Sequence, residues 1–156
     1  MPTDRVLIKR IDVKASLDEV WQAWSTSEGA QTFFAPDALI ELRLDGPYEL
    51  YFMQDAPAGQ QGSEGCRILS FVPGEMLSFT WNAPPHLPDV RKQRSFVVLR
   101  FEKLPDGLVR VNMHHRGWGE GEQWDQAYAY FDRAWDIVLS RLKQRFQEGP
   151  IDWEKL

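Results

Sequence analysis

His115 is the residue of this sequence best placed to do acid–base or binding chemistry. Val109, Val111, Met113 and His115 alternate with mostly polar residues, which is the pattern of a strand with one apolar face. The alternation aims the imidazole of His115 toward the interior. An inward imidazole can act as a general acid or base, orient a bound ligand, or satisfy a main-chain carbonyl group. The sequence leaves these three roles open.

The other reactive side chains indicate neither a metal site nor a catalytic motif. His114 must point to the face opposite His115, and His86 lies in a proline-rich segment, so the histidines do not predict a shared metal site. The single cysteine, Cys66, excludes an intramolecular disulfide and predicts an inert thiol. The sequence contains no phosphate-binding glycine motif, nucleophile elbow or HExxH zinc motif. We therefore expect no cofactor and no metal.

Arg67, Asp132 and Asp136 are charged residues that could face either the interior or solvent. Arg67 shares a face with Leu69 and Phe71 if their strand is regular, and an inward guanidinium would need a carboxylate from the protein or from a ligand. Because Arg67 lies at the end of the strand, we expect its guanidinium to reach solvent instead. Asp132 and Asp136 are one helical turn apart and are predicted to lie on a solvent-facing helix surface, where they need no catalytic role.

The composition is that of a globular domain with an excess of aromatic rings. The 156 residues carry a net charge of −5, which argues against nonspecific binding to nucleic acids or to anionic membranes. No apolar run approaches the ~18 residues of a membrane span, and the N-terminus has no signal-peptide core, so we expect a cytoplasmic protein. Nine Phe, four Tyr and seven Trp indicate a large core or a ligand pocket.

The N-terminal part of the chain predicts one strand followed by two helices. Residues 5–13 alternate apolar and polar side chains and predict the strand. Ser16 and Glu19 have the spacing of a capping box, which predicts a helix that begins after Ser16. A second short helix is expected over residues 27–34, because Pro36 disfavours its continuation.

Three successive β-hairpins are predicted next, because strand-like segments are joined by turns that contain Gly and Pro. The strand pairs are residues 38–44 with 48–54, 67–72 with 76–81, and 95–103 with 108–115. Hairpins in succession predict an antiparallel meander rather than parallel βαβ units.

The clearest helix is predicted over residues 123–147, where apolar residues recur at spacings of three and four. A helix of about 25 residues is roughly 37 Å long, so it can lie across a whole sheet. Gly149 and Pro150 predict its end, and loss of the residues after Pro150 is expected to have a mild effect.

Five segments occur in an order and spacing that carry a family resemblance: residues 15–24, 45–52, 68–81, 111–118 and 124–143. Together they resemble the SRPBCC superfamily (START-like, helix-grip), and within it the homologues of the activator of heat-shock protein 90 ATPase. One departure is the turn Asp45-Gly46, where the family usually has Gly-Gly. The resemblance implies an α+β helix-grip fold in one START-like domain over residues 1–156. In that fold a curved antiparallel sheet wraps around a long C-terminal helix, two short helices follow the first strand, and a cavity lies between sheet and helix.

The residues and the resemblance together favour a protein that binds a small hydrophobic molecule in this cavity. His115 is the polar group expected to fix the orientation of the ligand, with Arg67 as a second one if its guanidinium points inward. Trp118 lies in a glycine-rich segment and is expected either to gate the cavity or to plug the edge of the core. The residues expected to line the cavity are Phe34, Phe79, Trp81, Leu99, Phe101, Met113, His115, Trp118, Phe131 and Trp135.

Two other functions stay open at this point. The resemblance also implies a module that regulates a chaperone or another protein, although the predicted outer face of the sheet is polar. An enzyme acting on an aromatic or polyketide-like substrate would use His115 as its acid or base, and no orienting carboxylate can be placed beside it. We therefore predict binding rather than catalysis, by a monomer or a weak homodimer.

Overall fold

The structure, a computed structural model, describes residues 4–156, so the first three residues of the expected domain lie outside the described range. Within that range the elements follow the predicted order of strand, helices, strands and final helix. Their bounds are β1 Leu7–Lys14, α1 Leu17–Ser25, α2 Ser27–Ala30, β2 Asp37–Ile40, β3 Tyr48–Tyr51, β4 Ile68–Val72, β5 Met76–Trp81, α3 Pro88–Arg91, β6 Ser95–Lys103, β7 Leu108–Arg116 and α4 Glu122–Glu148.

Five strands form one antiparallel sheet in the order β1-β7-β6-β5-β4, and β2 pairs with β3 in a separate hairpin. The hairpin adjoins the start of β4, where the Tyr48 amide donates to the Cys66 carbonyl at 2.9 Å and the Ile68 amide donates to the Gly46 carbonyl at 2.8 Å. The α4 helix shares one core with the sheet. The α+β helix-grip fold expected from the sequence is confirmed.

The inner face of the sheet is apolar, as the alternation predicts. Leu77 of β5, Leu99 of β6 and Met113 of β7 are fully buried. The alternating positions along these strands, which face the other side of the sheet, are mostly polar. Trp135 and Leu142 of α4 are equally buried. Because side chains alternate across a strand, one face of the sheet packs on α4 while the other meets water.

The first two helices begin and end for local reasons. Ser16 Oγ accepts the Glu19 amide at 3.1 Å, and Glu19 Oε1 accepts the Ser16 amide at 3.0 Å, so the predicted capping box starts α1. The α2 helix covers only Ser27–Ala30, and the chain continues as turns to residue 34. Gly29 approaches α1 so closely that a Cβ would lie 2.1 Å from the Gln22 carbonyl oxygen, which requires glycine there.

Three local features differ from the sequence prediction. The β2 and β3 strands have four residues each, because the backbone turns between them, with the Gly46 amide donating to the Arg43 carbonyl at 3.0 Å. A register shift between Ile68 and Ser70 interrupts the alternation of β4. The short α3 helix follows the proline-rich segment 84–88 and was not predicted.

The residues after α4 pack against the core. The Ile151 amide donates to the Thr32 carbonyl at 2.9 Å, and Trp153 Nε1 donates to the Gln31 carbonyl at 2.7 Å. Ile151 is buried and Trp153 is partly buried. Loss of these residues would remove packed side chains and two long-range hydrogen bonds, so a mild effect is no longer expected.

The outer surface of the 27-residue α4 is charged. Lys9 Nζ of β1 lies 2.7 Å from Asp132 Oδ1 and 3.0 Å from Asp136 Oδ1, so the two carboxylates share one cation instead of standing unpaired in solvent. Both carboxylate side chains are more than half exposed, so each pair contributes about 1 kcal/mol or less. Within residues 4–156, none of the helices combines the length and the apolar character that crossing a membrane requires.

Candidate functional site

A cavity of about 290 Å³ lies beside α4, at the side where three loop regions meet the helix. Its walls come from the turn before β2, the β3–β4 loop, the region from the end of β5 to α3, and about three turns of α4. The lining residues are Phe34, Phe52, Met53, Gln60, Gln61, Gly62, Trp81, Asn82, Ala83, Pro84, Pro85, Arg91, Tyr130, Phe131, Ala134, Trp135, Ile137, Val138 and Arg141.

Three buried aromatic rings form the inner wall of the cavity. The ring centroids of Phe34 and Trp81 are 5.7 Å apart, those of Trp81 and Trp135 are 5.3 Å apart, and those of Phe34 and Trp135 are 5.9 Å apart. Each of the three side chains is at most 3% exposed, so the wall is fixed by the core behind it. The surface that a guest can touch therefore comes mainly from the more exposed side chains around these rings.

The rim of the cavity is apolar and open to solvent. Phe52 and Met53 lie on one side, and Tyr130 and Ile137 of α4 lie on the other, with exposures from 37% to 57%. Exposed apolar side chains that gather around one concavity mark an interaction site, whereas scattered ones do not. The rim therefore extends the apolar surface of the inner wall outward.

Arg91 holds the loops of the cavity in place. Its Nη1 donates to the Ala83 carbonyl at 2.6 Å, and its Nη2 donates to the carbonyls of Gly59 and Gly62 at 2.6 and 2.9 Å. Nη2 also lies 3.4 Å from Glu64 Oε1. Burial lowers the pKa of Arg91, and Glu64 opposes that shift. The guanidinium is thus occupied by the protein itself.

Arg141 differs from Arg91 because it has no polar partner among the residues that the structure describes. Within residues 4–156, its side chain makes no hydrogen bond and no ion pair, and its one directed contact is with the Trp153 ring, 5.3 Å from guanidinium carbon to ring centroid. Burial lowers the pKa of Arg141, with no carboxylate acting on it. No sequence pattern indicated either arginine, because each is placed by contacts between segments far apart in the chain.

Four of the ten predicted lining residues meet at this cavity: Phe34, Trp81, Phe131 and Trp135. The other six lie in the core away from it: Phe79, Leu99, Phe101, Met113, His115 and Trp118. The correction has a physical reason. Alternation predicts that a side chain points into the core, but not that space remains beside it. These six side chains are closely packed instead, as the stacked rings of Phe79 and Tyr48 at 4.0 Å show.

His115 is a packed core residue and not a polar group of the cavity. Trp135 Nε1 donates to its Nδ1 at 3.0 Å, so its Nε2 carries the proton and donates to Ser95 Oγ at 2.7 Å. The ring is fully buried, and burial lowers its pKa to about 3. Both nitrogens are used by the protein, so the imidazole has no position from which to exchange a proton with a guest in the cavity.

Trp118 plugs the core and does not gate the cavity. It is fully buried, its Nε1 donates to the His115 carbonyl at 2.8 Å, and its ring centroid lies 4.2 Å from that of His115. The crevice that Trp118 shares with Ser95 and Trp124 has no room for a water molecule. The flanking Gly117, at φ 82°, supplies the turn that returns the tryptophan into the core.

The remaining sequence candidates lie outside the cavity. Arg67 is exposed, since it alternates with the buried Cys66 and Ile68, and its Nη1 donates to the Asp45 carbonyl at 3.3 Å. Burial raises the pKa of Cys66 to about 12, in agreement with an inert thiol. Among residues 4–156, no cluster of His, Cys, Asp and Glu has the arrangement of a metal site.

A curved antiparallel sheet closed on a long C-terminal helix, with a cleft beside that helix, defines a helix-grip domain. The chain belongs to the family described as Activator of Hsp90 ATPase homolog 1-like protein, whose sequence profile matches residues 14–147. The resemblance seen in the sequence is therefore confirmed. A search of curated proteins by sequence found no match.

Solved structures repeat this fold at low sequence identity. A crystal structure of a protein from Mesorhizobium loti has a TM-score of 0.74 at 18% identity, covering 94% of this chain and 100% of that one. The solution structure of the Aha1 dimer from Colwellia psychrerythraea has a TM-score of 0.68 at 17% identity, covering 93% and 98%. CalU16 from Micromonospora echinospora has a TM-score of 0.65 at 23% identity, covering 96% and 78%. At these identities the likeness carries the fold alone.

Proposed function

We propose that this chain binds a small, largely aromatic molecule in the cavity beside α4. The observation that carries the proposal is a concave site of about 290 Å³ whose inner wall is three buried rings and whose rim is exposed and apolar. Ligand pockets are mostly apolar, carry a few polar groups, and have volumes of about 300 Å³ or more, so this site suits a small guest.

The lining residues favour binding over catalysis. Tyr130, Arg91 and Arg141 are the ionisable side chains of the lining, and Asp, Glu, His, Cys and Lys do not contribute to it. General acid–base catalysis near neutral pH needs a group that titrates there, within hydrogen-bond reach of the substrate. His115, the residue on which the enzyme hypothesis rested, has both ring nitrogens engaged away from the cavity.

The proposal predicts that filling the cavity weakens binding without loosening the core. Ala134 is a partly buried cavity residue of α4, and Ala129 is exposed on the same helix. Titration with the neutral fluorophore N-phenyl-1-naphthylamine should raise its emission with the wild type, and Ala134→Phe should weaken binding at least about tenfold, a loss of ~1.4 kcal/mol.

The matched control is Ala129→Phe, which adds the same ring to the solvent-facing side of α4 and should bind the fluorophore as the wild type does. Thermal melts of both variants check that the fold persists. Equal binding by the wild type and Ala134→Phe would show that the fluorophore binds elsewhere and would refute the proposal.

Regulation of a chaperone is the second candidate, and the family match is the observation that favours it, since the family description names an activator of the Hsp90 ATPase. This candidate predicts that the chain changes the rate of ATP hydrolysis by Hsp90, and that Ala134→Phe, which acts on the cavity, does not alter the effect. An unchanged hydrolysis rate over a range of concentrations would exclude it.

A further inference from the structure

The geometry points to a more specific ligand for this cavity: an aromatic monocarboxylate whose carboxylate pairs with Arg141 and whose rings lie against the exposed apolar rim at Phe52, Tyr130 and Ile137. The inference rests on the proposed function, because it assumes that the cavity holds a small apolar body. It specifies that the guest carries a negative charge, that Arg141 binds this charge, and how the guest is oriented in the cavity.

The charge of the cavity is opposite to the charge of the chain. The whole chain has a net charge of −5, yet the lining contains two arginines and no acidic residue. Arg91 is already satisfied by three main-chain carbonyls and by Glu64. One guanidinium, that of Arg141, therefore remains to meet an anion.

Arg141 lacks the partners that a partly buried cation normally has. A guanidinium carries five N–H donors, and within residues 4–156 none of those of Arg141 makes a hydrogen bond. The Trp153 ring 5.3 Å away stabilises the positive charge but offers no acceptor. A carboxylate fits the fork of a guanidinium with two parallel hydrogen bonds, which no group of the protein supplies here.

The position of Arg141 on α4 orients the guest. Tyr130 and Arg141 are the first and last α4 residues of the lining, eleven residues apart, which is ~16 Å along a helix. Phe131 and Trp135 lie between them and continue into the ring wall at Phe34. A guest whose carboxylate lies at Arg141 extends its rings over these buried side chains and against the exposed Ile137 and Tyr130 of the rim.

A carboxylate suits the site better than a phosphate. A phosphate monoester carries ~1.5–2 negative charges near neutral pH and is usually met by more than one cation or amide donor. Arg141 is the one lining cation that residues 4–156 leave without a polar partner. The α3 helix has only four residues and gives the site no second anion-binding group. A single charge matches a single guanidinium.

The test compares 2-naphthoate with its neutral analogue 2-naphthamide by isothermal titration calorimetry. The wild type should bind the naphthoate about tenfold more tightly than the naphthamide. Arg141→Gln should remove this preference by weakening the naphthoate about tenfold while leaving the naphthamide unchanged. Arg141→Lys should retain part of the preference, because it keeps the charge and loses the planar fork.

Two variants control for the loss of a positive charge elsewhere on α4 and for the loss of the ring beside Arg141. Arg133→Gln removes an exposed arginine from the same helix, outside the cavity, and should keep the preference for naphthoate. Trp153→Leu removes the ring beside Arg141 and should also keep it, since the guanidinium itself remains. Loss of the preference in Arg133→Gln would assign it to the general field of the protein and would overturn the inference.

The outcomes separate this inference from the proposed function. Equal binding of naphthoate and naphthamide by the wild type would overturn the carboxylate. If Ala134→Phe still weakens the binding of N-phenyl-1-naphthylamine, the binding cavity stands. Tighter binding of 1-naphthyl phosphate than of 2-naphthoate would overturn the assignment to a carboxylate. Failure of all the ligands would overturn both proposals.

Discussion

Trp118→Ala is expected to lower the free energy of unfolding by about 3–5 kcal/mol and to leave the affinity for N-phenyl-1-naphthylamine unchanged. The indole is fully buried, lies against the rings of His115 and Tyr128 at 4.2 and 5.0 Å, and donates a hydrogen bond to the His115 carbonyl. Its removal leaves a void in a region that has no other space. Urea denaturation gives the stability, and the fluorophore titration gives the affinity.

Trp118→Phe is the graded control for this prediction. It keeps a ring but loses the hydrogen bond to the His115 carbonyl, so its effect should be well below that of alanine. A mobile gate would behave in the opposite way, with a small change in stability and a large change in the rate or strength of binding. That result for Trp118→Ala would restore the gate hypothesis.

The free energy of unfolding is expected to fall by about 2 kcal/mol between pH 8 and pH 5 because of His115 alone. In the folded chain, burial holds the pKa of His115 at about 3, whereas an unfolded histidine titrates near ~6.5. Between these two values the unfolded chain binds a proton that the folded chain does not. Stability due to this group is therefore complete above pH ~6.5 and is lost as the pH falls toward the folded-state value.

The size of the effect follows from the linkage relation, in which each pH unit below the unfolded-state pKa is worth ~1.36 kcal/mol. Urea midpoints at pH 8, 7, 6 and 5 measure it. His115→Gln should flatten the dependence over this range, whatever its effect on absolute stability. Burial acts to raise the pKa of Glu64, but hydrogen bonds from main-chain amides outweigh it, so the pKa is lowered. Glu64 therefore affects stability at a more acidic pH than His115 does.

His114→Gln provides the matched control for the pH experiment. His114 is adjacent in sequence but lies on the outer face of β7 and is partly exposed, so the variant should keep the slope of the wild type. An equal slope for the wild type and His115→Gln would mean that the folded chain takes up a proton at His115 as easily as the unfolded one, and the account of a closed, neutral imidazole would fail.

Local patterns determined much of the fold. The alternation through Val109 and Met113 correctly gave the inner face of β7, because side chains of a strand must alternate. Ser16 and Glu19 correctly gave the start of α1, because the capping box involves atoms only three residues apart. The apolar stripe of α4 gave its extent to within one residue at each end, since it repeats over seven turns.

The position of the cavity depended on the tertiary structure. The alternation that aims His115 inward is the same for a packed core residue and for a residue beside a void, and only the meeting of its ring with Ser95 and Trp135 decided between them. Neither Arg91 nor Arg141 lies in a recognisable sequence motif. Arg91 is bonded to the Gly59 carbonyl of a loop far away in sequence, whereas Arg141 lies over the Trp153 ring and can meet an anion. Patterns of period 2 or 3.6 specify which way a side chain faces, but whether space remains in front of it depends on how side chains from distant segments fill the volume between sheet and helix.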